Sequence, residues 1–159
     1  PAAVGMPRAQ YLLGVCYETG DGVEKKPRYA AYMYHRAALQ GHPEAMLRLG
    51  ICYETGVGTE KDPAIAANLY RRAAEQGSDL ARCRLGRLYE LGVERDLRRA
   101  EELYEAGTRA GVSGAKEAMD RVRAALAAPP EPQPEDKPVD KKSPLRRLLD
   151  RLKGPKSEE

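Results

Sequence analysis

The chain of 159 residues has no phenylalanine and no tryptophan, two histidines, three cysteines and a single asparagine, Asn68. Nine tyrosines therefore supply all the aromatic surface, and the 42% hydrophobic fraction is largely alanine and leucine. Small side chains at helix contacts imply closely packed helices. The odd cysteine count, with no CxxC pair and no Cys/His cluster, argues for a reducing compartment and against a zinc site. Cys16 and Cys52 occupy equivalent positions of a repeat, and helices packed about 8–10 Å apart seldom bring such Cα atoms within the ~7 Å that a disulfide allows. Free thiols are expected. Asn68 opens no glycosylation sequon. No window approaches 18 uncharged apolar residues, so no membrane span is expected. Pro1 to Gln10 has no basic region followed by an apolar run, so no signal sequence is read there. With 27 basic and 24 acidic residues, the net charge of +3 is too balanced for the concentrated basic face that nucleic acid demands.

What is present is repetition. CYETG occurs at Cys16 to Gly20 and again at Cys52 to Gly56, and Ala9, Ala45 and Ala81 stand 36 positions apart. Leu13-Gly14, Leu49-Gly50 and Leu85-Gly86 keep the same register. A period between about 20 and 50 residues marks a solenoid, whose units bury their apolar faces only against their neighbours. Ala9, Leu13, Cys16, Tyr17 and Gly20 fall at steps of four and three, one stripe of a first helix. Gly20, Gly56 and Gly92 end that helix in the manner of a left-handed cap. A second helix opens near Pro27 and Pro63, where proline's fixed φ suits the first turn. Its stripe runs Ala30, Met33-Tyr34 and Ala37-Ala38, then Ala66, Leu69-Tyr70 and Ala73-Ala74, and Gly41, Gly77 and Gly111 close it. Gly14, Gly50 and Gly86 sit mid-helix at a cost of about 1 kcal/mol against alanine. Close approach of the two helices of a hairpin explains them, with Tyr17, Tyr53 and Tyr89 expected against the neighbouring alanine pairs.

The expected architecture is all-α: a right-handed α-solenoid over residues 1–128, with repeats at about 9–44, 45–80 and 81–114 and a capping helix at 115–128. Ala115, Ala118-Met119, Val122 and Ala125-Leu126 form the apolar face of that cap. No matching cap precedes Ala9, which points to an exposed start of repeat one or, the favoured expectation, an upstream portion outside this chain. Pro129, Pro130, Pro132, Pro134 and Pro138 among charged residues read as a flexible linker over 129–142. Ser143-Pro144 then opens a short basic amphipathic helix over 143–153, followed by a disordered tail at 154–159.

These residues resemble the Sel-one-like repeat (SLR) family of the tetratricopeptide superfamily. Its pattern reads A-x-x-x-L-G-x-x-Y-x-x-G-x-G-V, then D-x-x-x-A-x-x-W-Y-x-x-A-A-x-x-G. Ala45, Leu49-Gly50, Tyr53, Gly56, Gly58, Asp62, Ala66, Tyr70, Ala73-Ala74 and Gly77 match it in the best copy, and the likeness covers residues 7 to 112. Met33, Leu69 and Leu103 stand where the family favours tryptophan, and Lys26 replaces the first copy's aspartate. The third copy is two residues shorter between Gly92 and Asp96 and has Gly107-Thr108 for the alanine pair. The resemblance implies a non-catalytic scaffold, and the Ala/Arg/Leu-rich composition looks bacterial; free thiols favour the cytoplasm, while the family's frequency in bacterial envelopes makes the periplasm or envelope the alternative. Family roles include signalling, secretion, envelope assembly and protein quality control. Some cysteine-rich members are weak β-lactamases with paired cysteines in each hairpin; here the cysteines lie only on first helices.

Catalysis has little to work with, and no catalytic residue, metal or cofactor is expected. His35 and His42 read as surface histidines without a nucleophile beside them. Glu101-Glu102 read as a solvated face, and Gly20-Asp21-Gly22 as a turn between helices. In the superfamily the first helices line the concave surface, which implies a peptide-binding groove there. Its candidates are Tyr11, Leu12 and Val15, then Leu47, Arg48 and Ile51, then Cys83, Arg84 and Arg87, with Glu18, Glu54 and Glu90 one turn further on. The groove grades from apolar to basic, which suits a partner peptide with an apolar and an acidic end; Arg48, Arg84 and Arg87 either donate to that partner or pair with neighbouring glutamates. Leu145, Arg146, Leu148, Leu149 and Leu152 form a second candidate contact, for an anionic membrane surface or a partner's groove.

Overall fold

The computed structural model describes residues 5–92, 95–130 and 144–152, apart from the side chains of residues 145, 146, 149 and 150. It divides into two units, Pro1–Ala127 and Ala128–Glu159. Most of the expected linker and the expected tail at 154–159 lie outside the described residues.

The first unit contains seven helices of 13 residues: α1 (Pro7–Thr19), α2 (Pro27–Leu39), α3 (Pro43–Thr55), α4 (Pro63–Glu75), α5 (Asp79–Leu91), α6 (Leu97–Arg109) and α7 (Ala115–Ala127). No strand occurs among the described residues. Successive helices pack on one another, which makes an α-solenoid of three hairpins followed by α7. Proline opens α1 to α4. Asp62 caps α4 by accepting from Ala64 and Ile65 N–H, and Asp96 caps α6 through Arg99 N–H. Lys26 holds the same extended backbone before α2 and gives no side-chain cap.

Two clusters make the core. The larger centres on Tyr34 and Tyr70, both 0% exposed, with the alanine pairs, Met46, Leu49 and Leu85 around them. The smaller joins Ala100 and Tyr104 of α6 to Ala118, Met119 and Val122 of α7.

Two expectations need correction. Gly20 and Gly56 are left-handed, at φ 81° and 76°, but Gly92 is extended, at φ −76° and ψ 172°, where the shortened third turn leaves α5. Ala9 and Leu13 are exposed although their equivalents Ala45, Leu49, Ala81 and Leu85 are buried, because no described helix covers that side of α1. Gly58 repeats the contrast: it turns at φ 83° against the Pro27 carbonyl of the preceding hairpin, whereas a Cβ at the equivalent Gly22 would meet nothing. The two helices of each hairpin approach closely at the mid-helix glycine, and the ring against it belongs to the second helix. A Cβ on Gly14 would stand 2.6 Å from Cε1 of Tyr34, and one on Gly50 2.5 Å from Cε1 of Tyr70. Tyr17, Tyr53 and Tyr89 are partly buried at the margin, Tyr17 stacked on Tyr29.

The second unit contributes α8 (Pro144–Leu152).

Candidate functional site

The face of α1, α3 and α5 is organised by a polar ladder. The hydroxyls of Tyr34 and Tyr70, buried against their glycines, donate to the carboxylates of Glu18 and Glu54 on the first helix of the same hairpin. Tyr104 donates to Glu90 at 2.8 Å, so the pair survives the two-residue deletion that lies between its members. Each glutamate then reaches the following unit: Glu18 pairs with Arg48 at 3.5 Å, Glu54 with Arg84 at 3.7 Å and Glu90 with Arg121 of α7 at 2.6 Å. Arg121 is bidentate, donating from Nε and Nη2 to the two carboxylate oxygens. The glutamate side chains are 40%, 15% and 8% exposed in turn, so the ladder is most deeply buried at the α7 end.

Burial and the bond to the carboxylate push all three tyrosine hydroxyls well above their ordinary pKa. Hydrogen bonds from Arg121 hold the Glu90 carboxyl below the usual range against its own burial. The rung at the α7 end thus joins a neutral phenol to an ionised carboxylate.

The candidate groove residues divide. Tyr11, Val15 and Ile51 pack half-buried on the core, the Tyr11 ring stacked on His42 at 5.0 Å. Leu12 is 51% exposed. Arg48 and Arg84 face glutamates, whereas Arg87 is exposed and makes no ion pair among the described residues. Arg84, Arg87 and Arg121 border a cavity of about 450 Å³ between α5 and α7, with Leu80 and Val112 at its apolar side.

His42, read as a surface histidine, caps α3: its Nδ1 accepts from Ala45 N–H at 3.3 Å. Ser78 does the same for α5, and that equivalence was the available signal. The three cysteines are free and half-buried. Burial pushes the Cys52 thiol up to about 11 and raises that of Cys83, which leaves both poor nucleophiles at neutral pH. Cys83 occupies the space a side chain on Gly107 would need, so the loss of the alanine pair in the third copy accommodates a thiol. No cluster of three potential metal ligands occurs among the described residues.

Of the tail candidates, Leu148 and Leu152 are exposed at 53% and 75%. The side chains of Leu145, Arg146 and Leu149 lie outside the described residues.

The Sel1 repeat profile matches residues 7–42, 43–78 and 79–112. A Sel1 repeat protein from Oxalobacter formigenes is 35% identical with a TM-score of 0.66, the match covering 71% of this chain and 47% of that one. The protective antigen c5321 of uropathogenic Escherichia coli, which displays an SLR fold, is 28% identical with a TM-score of 0.71, over 74% of this chain and 26% of that one. This chain thus spans about half the length of the first and a quarter of the second. No curated protein matches it. Sel1 repeats are in general protein–protein interaction modules. Three consecutive repeat matches, on hairpins stacked as an α-solenoid, place this chain in the Sel1 repeat family.

Proposed function

We propose that the chain is a non-catalytic adaptor that holds a partner protein or peptide on the face of α1, α3 and α5. The partner carries an acidic group at the α5 end and apolar side chains toward α1. One observation carries this reading: Arg84, Arg87 and Arg121 converge on the cavity beside exposed Leu80, and Glu90 and Glu54 neutralise two of the three. Arg87 is the charge left over for a ligand carboxylate, and a charge-assisted bond there has a nearby apolar wall to limit its hydration.

The ladder separates folding from binding. Arg84 serves both, so reversing it sets a carboxylate against Glu54, whereas Arg87 makes no ion pair among the described residues and reaches Glu90 only through its charge. Peptides with an acidic end should bind in preference to their amide counterparts. Arg87→Glu should weaken them roughly tenfold or more at an unchanged melting temperature. Equal affinity of wild type and Arg87→Glu for every acidic peptide counts against the groove.

A further inference from the structure

Charge is unevenly spread along the chain. From Lys141 to Lys156 stand seven of the 27 basic residues and one of the 24 acidic ones, Asp150, so this stretch carries +6 and the remainder −3. α8 lies within it, and the spacing sets Leu145, Leu148, Leu149 and Leu152 on one helical stripe. Leu148 and Leu152 are exposed, and so are Arg147 and Arg151 one turn apart. An apolar stripe bordered by cations calls for a counterpart that is both apolar and anionic.

Size decides between a protein groove and a lipid surface. Nine residues of helix extend about 13.5 Å, and one face of that length covers far less than the roughly 800 Å² per partner of a stable protein interface. The stripe is leucine alone, without the aromatic anchors that fill protein pockets. A bilayer surface needs neither, because apolar area and charge add there without a shaped site. No described helix is long and apolar enough to cross a membrane.

We propose that α8 lies on the surface of an anionic bilayer, its leucines at the headgroup boundary and its basic side chains among lipid phosphates and carboxylates. This contact is independent of the groove reading, which concerns the other unit.

The test mixes the full chain with vesicles of phosphatidylcholine alone, or of phosphatidylcholine with phosphatidylserine, and sediments them. The chain should travel with the second kind only and be released by salt. Arg147→Glu with Arg151→Glu should weaken binding by roughly 25-fold or more. Leu148→Glu with Leu152→Glu should abolish it, while Arg87→Glu leaves it intact. All these positions are exposed, so melting curves should coincide. Sedimentation with neither vesicle, equal sedimentation with both, or tail variants that bind like wild type would each overturn the proposal. Tail-dependent capture by a protein in place of vesicles would overturn it equally.

Discussion

A methyl group added at Gly50 would stand 2.5 Å from Cε1 of Tyr70, a ring with 0% exposure and its hydroxyl held by Glu54. Alanine gains about 1 kcal/mol of helix propensity over glycine, but an overpacked core loses about 1–3 kcal/mol, and this ring has nowhere to move. Gly50→Ala should therefore destabilise by up to about 2 kcal/mol in urea melts. Gly86→Ala should be near neutral, since its closest contact to Tyr104 is 3.2 Å. Glu90 offers a second test at this scale. Its carboxyl is held low in the fold, mainly by Arg121, so its contribution is present above the ordinary carboxylate range and is lost as pH falls through the folded value. Glu90→Gln should cost about 1–3 kcal/mol at neutral pH, with the gap from wild type closing in acid. A gap independent of pH would mean that packing, not charge, gives Glu90 its role.

Helices α2, α4 and α6 begin at equivalent points, yet only Asp62 and Asp96 satisfy the exposed first-turn N–H groups. Lys26 has nearly the backbone of Asp62, φ −136° and ψ 92° against −144° and 96°, so an aspartate there needs no rearrangement. Lys26→Asp should stabilise by about 1 kcal/mol, less the small surface contacts of Lys26 with Glu24 and Tyr29. A melting temperature that fails to rise would show that those contacts matter more than the cap. The elements themselves were legible in the sequence, because a proline, glycine and alanine pattern marks the same helix boundaries in the first two copies and the shared register carries them into the third. What decides which tyrosine meets Gly50 is the crossing of two helices in space. The stripe of a single helix contains no such information, so close approach at Gly50 was legible and the Tyr70 ring that fills it was not. Arg48 and Arg84 were ambiguous for a related cause: whether they face a partner or a glutamate depends on the rise from one hairpin to the next, which spacing alone does not give.

The solenoid as a whole has two cores, one spanning α1 to α5 and one joining α6 to α7, with Tyr89 packed against both. In a linear array each unit is stabilised by its nearest neighbours, so damage should spread along the stack by degrees and not all at once. The Tyr–Glu–Arg ladder opposes that locality, since every rung fastens one hairpin to the next, most deeply at Glu90 and Arg121. Met119, 7% exposed, is where the two tendencies can be weighed. Met119→Ala leaves a cavity in the smaller core at a cost of about 2–5 kcal/mol. It leaves Glu90, Tyr104 and Arg121 chemically intact. Hydrogen exchange should then accelerate in α5, α6 and α7 while amides of α3 and α4 keep their protection, because the weakest interface opens first. Uniform acceleration from α1 to α7 would instead mean that the ladder fuses the three hairpins and α7 into one cooperative block. In that case a partner bound near Arg87 would stiffen the whole array and not its last hairpin alone.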